Sequence, residues 1–581
     1  MSRRDRVAIH LVRATRERLP SLVRAEETMG SRCFATLILL WALLGSASAV
    51  RSQPVSIGIL QSSLPLRTVS GVVVNSVTGR PIARALVQAG QHAMLTDGEG
   101  RFEFRDVTDN SVSANKPGYF AENTAWMGGL TQAVSDKPGP LEIKLVPEAI
   151  VSGHVIDPSG APVEGVSVML RALTVSNGMK HWEQRSSSTT NAEGEFRIAD
   201  LQAGEYAIQT ALKLDGPPEG DAAAGYAPAD YPALGANGSG ALQVHAGDRL
   251  EAEIGTRLEK LYPVSGVVNG LSESTFPNFT VRTVGGVEFN PTLQMIPQTG
   301  MFRMLLPSGS FDVRAVVYEQ PQLIQSGEHG SIRRMPKQFM AQQTVTVAEG
   351  PVTGLRMTLE PMAALPVEVA LEKTAKQQAN DTNPVQFNFS LVPAGADAVP
   401  MTYPAEGIDP THPAPGLQTG DPLVIRNLPP GQYVLQGGGG SPLWYIASAV
   451  CGGTDLTREP FTIAGSAAGC ALRVVLRDDA ASVQILTTDG SEGRPMPTYV
   501  YLVPLNNLTR DVQAYSTGTD GKLSIDGVAP GQYLLLATPF AVQLAFRDPE
   551  ILRRYETEGK RIDLSPGEKT EIRLDVFTGE P

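Results

Sequence analysis

The sequence predicts an all-β chain: a signal peptide followed by a tandem array of about five β-sandwich domains. Three observations carry this expectation. The first is a phrase that recurs along the chain. In Thr519 to Tyr533, Asp520-Gly521 supplies a tight turn, Leu523 and Ile525 alternate as strand residues, and Pro530-Gly531 turns the chain into Gln532-Tyr533-Leu534. Asn191 to Tyr206 and Asp421 to Tyr433 repeat it, with weaker copies at Gly300 to Phe311 and Thr96 to Val107. The second is spacing, since the closing aromatics at 206, 311, 433 and 533 stand 105, 122 and 100 residues apart. The third is the density of short alternating apolar runs separated by turn signals every ~8 to 12 residues, the pattern of β-sandwiches.

Size and composition agree. A chain of 581 residues exceeds the ~250 to 300 that one core supports. Its 58 Gly and 44 Pro fit many turns without reaching the level of a disordered chain. The formal charge is −12, and removal of residues 1–49, with eight Arg and four acidic residues, leaves −16. Such a chain has no general attraction for nucleic acid or anionic lipid.

Phe34 to Leu44 is an eleven-residue apolar run preceded by Arg32 and followed by Gly45-Ser46-Ala47-Ser48-Ala49. The run is too short to span a bilayer, and the Ala-x-Ala ending matches a signal-peptidase site with cleavage between Ala49 and Val50. No transmembrane segment is expected in the mature chain. The 28 residues before Met29 make a long leader, so translation is expected to begin at Met29. Export to the periplasm, outer surface or medium follows.

Residues 50–66 carry no periodicity and read as a linker. The first sandwich is expected at 67–147, opening with Val69-Ser70-Gly71-Val72-Val73 and ending with the alternating run Leu141 to Leu145. The second, 148–259, repeats the opening as Val151-Ser152-Gly153-His154-Val155 and carries a Gly-, Ala- and Pro-rich stretch at 213–240 that reads as one long loop. The third, 260–361, opens with Val264-Ser265-Gly266, and its segment 320–338 reads as an exposed loop. The fourth, 362–478, lacks the Val-Ser-Gly signature. The fifth, 479–581, holds the best helical candidate, Asp548 to Glu558. Short connections between units predict a series with limited rotation between neighbours.

The Val-Ser-Gly-x-Val opening, the Gly-x-Pro-x-x-x-x-x-Val connection and the Asp-Gly-x-Gly-x-Phe turn resemble the carboxypeptidase regulatory-like domain, most closely in the first two units. The resemblance implies an Ig-like or transthyretin-like seven-stranded sandwich, related to carbohydrate-binding modules, that is itself non-catalytic. The fifth unit is similar to the C-terminal module of multi-repeat envelope proteins of acidobacteria and related soil bacteria. These motifs specify fold better than function.

Chemistry is sparse. None of the seven histidines begins a His-x-x-Glu zinc motif, and His154 to Asp157 and His245 to Asp248 read as framework strand and turn residues. No serine-hydrolase elbow, phosphate loop or dinucleotide fingerprint occurs after residue 49. The turn acids Asp97, Glu99, Glu193 and Asp520 lack the spaced calcium array and read as turn formers. Neither a cofactor nor a metal is expected, and no enzyme activity. For a sugar, Trp182, Tyr226 and Tyr231 form the aromatic group to consider, whereas Tyr206, Tyr433 and Tyr533 read as core. Two function classes remain: a structural or interaction module of the cell envelope contacting an envelope protein or glycan, and a carbohydrate-binding protein. An accessory subunit of an exported peptidase or receptor is a further alternative. After removal of Cys33 with the leader, Cys451 and Cys470 are an even pair in an oxidising compartment, so a disulfide is expected, against the alternative of two thiols that never meet.

N-terminal sequencing of the protein recovered from envelope or medium should read from near Val50; material still carrying Arg32 would refute the export reading.

Overall fold

The computed structural model describes residues 67–577, apart from 108–110, 122–131, 134–139, 218–222, 233–239, 273–274, 285–287, 320–322, 326–330, 334–335, 375–386, 395–400, 408–422, 440–443, 491–492, 510–511 and 513. The expected leader with Ala49 and Val50, and the linker 50–66, lie outside the described residues.

One three-stranded arrangement occurs five times in succession: a unit's first strand pairs antiparallel with a middle strand and parallel with its last. Arg67–Asn75 lies between Arg101–Val107 and Leu141–Pro147. Ala149–Ile156 lies between Glu195–Leu201 and Arg249–Gly255. The third copy sets Leu258–Asn269 between Met301–Leu306 and Val352–Thr358. Ala363–Glu372 follows, between Leu423–Leu428 and Leu472–Arg477, and then Ala481–Thr488, between Lys522–Val528 and Lys569–Asp575. A parallel pair cannot be joined by a tight turn, so the chain between them crosses over and builds a second sheet. That sheet is founded on antiparallel pairs: Leu86–Ala89 with Ser111–Asn115, Ser167–Ser176 with Gly204–Thr210, Asn278–Thr283 with Gly309–Tyr318, Phe387–Pro393 with Gly431–Gly439, and Tyr499–Pro504 with Gly531–Thr538. Apolar residues of the two sheets meet in five cores that follow one another along the chain. In the fourth unit Tyr403–Gly407 pairs with both sheets and joins them into one of nine strands.

The recurring phrase is explained by this topology. In the turn before the middle strand, Asp97 Oδ1 accepts from the main-chain N–H groups of Glu99 and Arg101 at 3.0 and 2.7 Å, and Asn191 Oδ1 accepts from Glu193 and Glu195 at 3.1 and 2.8 Å. The glycines that end the turns, Gly100, Gly194, Gly300 and Gly521, all have φ between 68° and 73°. Their carbonyls accept from Val73, Val155, Val268 and Thr487 of the first strand at 2.8 to 2.9 Å. A Cβ on Gly100 or Gly194 would lie 2.7 Å from the carbonyl oxygen of Val73 or Val155, so both conformation and space demand glycine. A buried threonine precedes two of these turns: Thr96 and Thr190 each donate to a carbonyl of the preceding connection, Ile82 and Val163, at 2.7 Å.

At the far end of the middle strand, Asp106, Asp200, Asn427 and Gly527 occupy equivalent left-handed positions, with φ of 58°, 57°, 59° and 72°. Each lies where register against the first strand shifts by a bulge, just before the buried Val107, Leu201, Leu428 and Val528. Asp, Asn and Gly are the residues that tolerate this conformation.

The Val-Ser-Gly signature has an equally local cause. Gly71, Gly153 and Gly266 face Phe102, Phe196 and Phe302 across the antiparallel pair. Their parallel neighbours approach so closely that a Cβ would overlap the carbonyl oxygens of Leu141, Ala252 and Leu355. In the fourth and fifth units Leu423 and Leu523 replace the phenylalanine, and the facing positions are Val367 and Ile485. Volume is exchanged across the pair, which is why the fourth unit lacks the signature.

The stretch 213–240, expected as one long loop, is corrected. Lys213–Leu214 pairs with Ala223–Tyr226, which pairs in turn with residues 258–261 of the third unit's first strand. Leu212 also packs on the third core. These two strands therefore extend the next unit's sheet, because a strand begun directly after Gly255 leaves an edge that must be covered, whereas Asp230–Tyr231 pairs back onto the second unit's Ile208 and Gln209. Segment 320–338 likewise contains a small ladder, Leu323–Gln325 with Ser331–Arg333. The helix runs Pro549–Glu558, capped by Asp548, whose carboxylate accepts from the Glu550 and Ile551 N–H groups.

Units that are not neighbours in sequence also meet, since the second touches the fifth through the hairpin described below.

Gly194→Ala places a Cβ against the Val155 carbonyl in a left-handed conformation and should destabilise the second unit by about 2 kcal/mol or more. Amide exchange of the strand Ala149–Ile156 checks this, and an unchanged exchange rate would contradict it.

Candidate functional site

The three aromatic residues singled out for sugar stacking are not gathered into one platform. Trp182 lies on the edge strand Met179–Thr189, opposite Leu173, and is 38% exposed. Tyr231 pairs with Ile208, so the strands Ser167–Ser176 and Gly204–Thr210 separate it from Trp182. Tyr226 belongs to the strand that extends the third unit's sheet, with Lys213 Nζ 5.7 Å from its ring centroid. Both tyrosines lean on the second core. Trp126 lies outside the described residues.

Tyr206, Tyr433 and Tyr533 are core residues, and each donates its hydroxyl four residues back, to the carbonyls of Gln202, Pro429 and Ala529 at 2.9, 2.6 and 2.7 Å. This is the tyrosine corner of β-sandwiches. Burial pushes the phenols of Tyr206 and Tyr433 above their ordinary range. Phe311 fills the same place in the third unit without a hydroxyl.

The titratable candidates serve turns and strands. His245 and Asp248 close a turn, the carboxylate accepting the His245 main-chain N–H at 2.8 Å. His154 pairs across the ladder with Glu195 at 3.5 Å. Among the described residues no three His, Cys, Asp or Glu side chains gather as a metal set.

Cys451 and Cys470 are joined by a disulfide, with Cα atoms 5.6 Å apart. Cys451 ends Tyr445–Cys451, and Cys470 stands two residues before the start of Leu472–Arg477, its antiparallel neighbour. The enclosed loop returns through Phe461–Ile463, which pairs with Gly431–Tyr433. The bond thus fastens a loop that bridges the two sheets of the fourth unit.

The most built feature is a cleft between the second and fifth units. Ser167–Ser176 and Met179–Thr189 form a long hairpin closed by Asn177-Gly178, with φ of 52° and 73°, the type I′ geometry that this dipeptide favours. Beyond Ala172, which pairs with Tyr206, the tip pairs among the described strands with its own partner strand alone and projects from the sandwich. It lands on the fifth unit. The Arg547 N–H donates to the Gly178 carbonyl at 2.9 Å, and Gln436 of the fourth unit donates its amide to Asn177 Oδ1 at 3.1 Å. The Phe546 ring lies so close over Gly178 that any Cβ there would overlap it.

The receiving surface is the outer face of the fifth unit's second sheet, where Tyr501, Val503, Leu534 and Leu536 form a separate apolar cluster with Leu544, Phe546 and Tyr555. Tyr501 accepts the Val542 N–H at 2.6 Å, burial raises its phenol, and Arg547 donates to the Leu508 carbonyl at 3.1 Å. Between hairpin and sheet lies a cleft of about 740 Å³, lined by Thr174, His181 and Glu183 on one side and Tyr501, Val542 and Phe546 on the other. A smaller cleft of about 220 Å³, with Arg185, Gln202 and Glu205, separates the hairpin from the Tyr206 corner. His181 is buried and bonded to Thr174 at 3.1 Å. The Asn177-Gly178 signal was available in the sequence; its partner surface was not.

Residues 150–248 match the carboxypeptidase regulatory-like domain. The match coincides with the second core and includes the projecting hairpin. No curated protein matches the chain. Among solved structures, the Bacillus anthracis TIE protein is 13% identical, covering 71% of this chain and 68% of its own, with a TM-score of 0.14. The minor pilin GBS52 of Streptococcus agalactiae is 15% identical over 33% of this chain and 95% of its own, at 0.18. The full-length RrgB pilus protein of Streptococcus pneumoniae is 9% identical over 75% and 98%, at 0.15. Likeness at this level says nothing of what the carboxypeptidase regulatory-like domain does here.

Alkylation of the denatured, unreduced chain should label neither Cys451 nor Cys470, and prior reduction should expose both; two labels without reductant would contradict the pairing.

Proposed function

We propose that this chain is an exported, non-catalytic structural or interaction protein of the cell envelope, built of five sandwiches at 67–147, 148–259, 260–361, 362–478 and 479–581. The observation that carries the reading is that the junctions themselves are bonded. Ala223 and Ala224 of the second unit pair with Leu261 and Lys260 of the third, and this strand is anchored at its end by the Ala227 N–H on the Arg257 carbonyl at 2.8 Å and the Thr256 hydroxyl on the Ala227 carbonyl at 2.6 Å. Asn427 accepts from the Gln338 N–H and donates to the Pro336 carbonyl, at 2.9 and 3.0 Å, tying the third to the fourth. Tyr445 and Arg477 both donate to Asp479 between the fourth and fifth, at 2.9 and 3.1 Å. Junctions bonded in this way limit how far neighbouring units turn against one another, which suits a spacer or scaffold. The leader-like N-terminus and the disulfide support export, and no described helix is long and apolar enough to cross a membrane.

Fractionation of the native cell with in situ crosslinking tests this. The protein should appear in the envelope or medium, crosslinked to an envelope protein or glycan; recovery in the cytoplasm alone would overturn it. A second reading, glycan binding, is favoured by the exposed ring of Trp182 alone. It requires a glycan-array signal that Trp182→Ala abolishes.

A further inference from the structure

We propose that the Asn177-Gly178 hairpin is a releasable latch, which closes the second unit onto the fifth within one chain and opens without unfolding either. The inference does not depend on the cell-envelope reading.

Four observations carry it. The hairpin is longer than its own sandwich needs, because the tip beyond Ala172 contributes nothing to the second sheet's pairing with Gly204–Thr210. Its ladder is complete without the fifth unit, from Ser167 opposite Thr189 to Ser176 opposite Met179. It therefore remains a hairpin when undocked. The contact is specific at one point, where the left-handed Gly178, φ 73°, lets Phe546 lie against the backbone while its carbonyl takes the Arg547 N–H. Elsewhere the contact is loose, with a cleft of about 740 Å³ behind the tip. A tight catch beside an open cleft differs from a fused interface and resembles the modest, polar contacts across which domains move.

The receiving side is built to survive release. Tyr501, Val503, Leu534 and Leu536 stay covered by Leu544 and by the helix Pro549–Glu558 through Tyr555, Ile551 and Leu552. Only the edge of Phe546 and the cleft walls become wet. Phe546 and Arg547 lie outside regular strand and helix, between the sheet and the helix, so backbone adjustment there breaks no ladder. Gln436 of the fourth unit also holds Asn177, so the latch spans three units.

The test uses the full chain, with amide exchange at Arg547 as the local report and Val155 and Thr487 as core references. In the wild type Arg547 should be protected yet exchange faster than both references, since the latch opens more often than the cores. Phe546→Ala, which leaves the hairpin turn untouched, should speed Arg547 exchange roughly tenfold or more with the references unchanged. Gly178→Leu should do the same by displacing the ring. Arg547 exchange that is unaltered in both variants, or that accelerates only together with Val155 and Thr487, would overturn the latch. Spin labels at Lys180→Cys and Glu558→Cys, both exposed positions, give the second readout. One short distance that lengthens in Phe546→Ala is expected. A short distance seen only between singly labelled chains mixed together would mean docking onto a second copy, and would overturn closure within one chain.

Discussion

The parallel pairing of first and last strand within each unit is the constraint on which the rest of this structure depends. Because parallel neighbours cannot be joined by a hairpin, the intervening chain must leave the sheet, build a second one and return. The two sheets then face one another with a shared apolar core between them. The first strand, flanked on both sides, carries the tightest steric demands: Gly71, Gly153 and Gly266 admit a carbonyl where a side chain would stand. The turn glycines lock the same strand from its other end through their carbonyls. The sequence phrases that recur are the residues that satisfy these demands.

Much of this was legible because the demands are local. Turn acids, left-handed glycines, alternating strands and the inward tyrosines announce themselves by residue type, and the helix is marked by Asp548-Pro549 and the spacing of Ile551, Leu552 and Tyr555. What escaped was set by distant partners. Val367 was unreadable as the equivalent of Gly153 because the compensating change, Leu423 for Phe196, sits on another strand. Lys213–Leu214 and Ala223–Tyr226 read as loop by composition, yet they pair as strands along the third unit's edge. Trp182, Tyr226 and Tyr231 belong to one unit of the chain but fall on strands that the sheet order separates. The six residues Tyr533 to Thr538 are all buried because this strand is covered on both faces, one by the fifth core and the other by the cluster around Phe546.

The units differ chiefly in what they add at their borders. The left-handed residue at the bulge is reused there. Asp200 gives its N–H to Glu148, at the border of the first and second units, at 3.1 Å, and Asn427 spans the third and fourth with its side chain. Asp479 collects Tyr445 and Arg477 at the last border, where burial and the carboxylate hold the Tyr445 phenol above its ordinary range. The edge-covering segment after Leu212, the hairpin at Asn177-Gly178 and the disulfide loop after Cys451 are likewise additions to one shared topology. Variation is thus concentrated where units meet, as expected when the cores are already satisfied.

The organisation we propose is five separately closed sandwiches in series. Single-molecule extension of the whole chain tests it most directly. Each unit, held shut by its first and last strands, should yield in its own step, giving five steps of roughly one hundred residues at about 3.5 Å per residue. The fourth unit's step should be shorter by about 65 Å while the disulfide locks 19 residues, and should regain that length in reductant. Fewer than five steps, or one cooperative rupture of the whole length, would contradict the account.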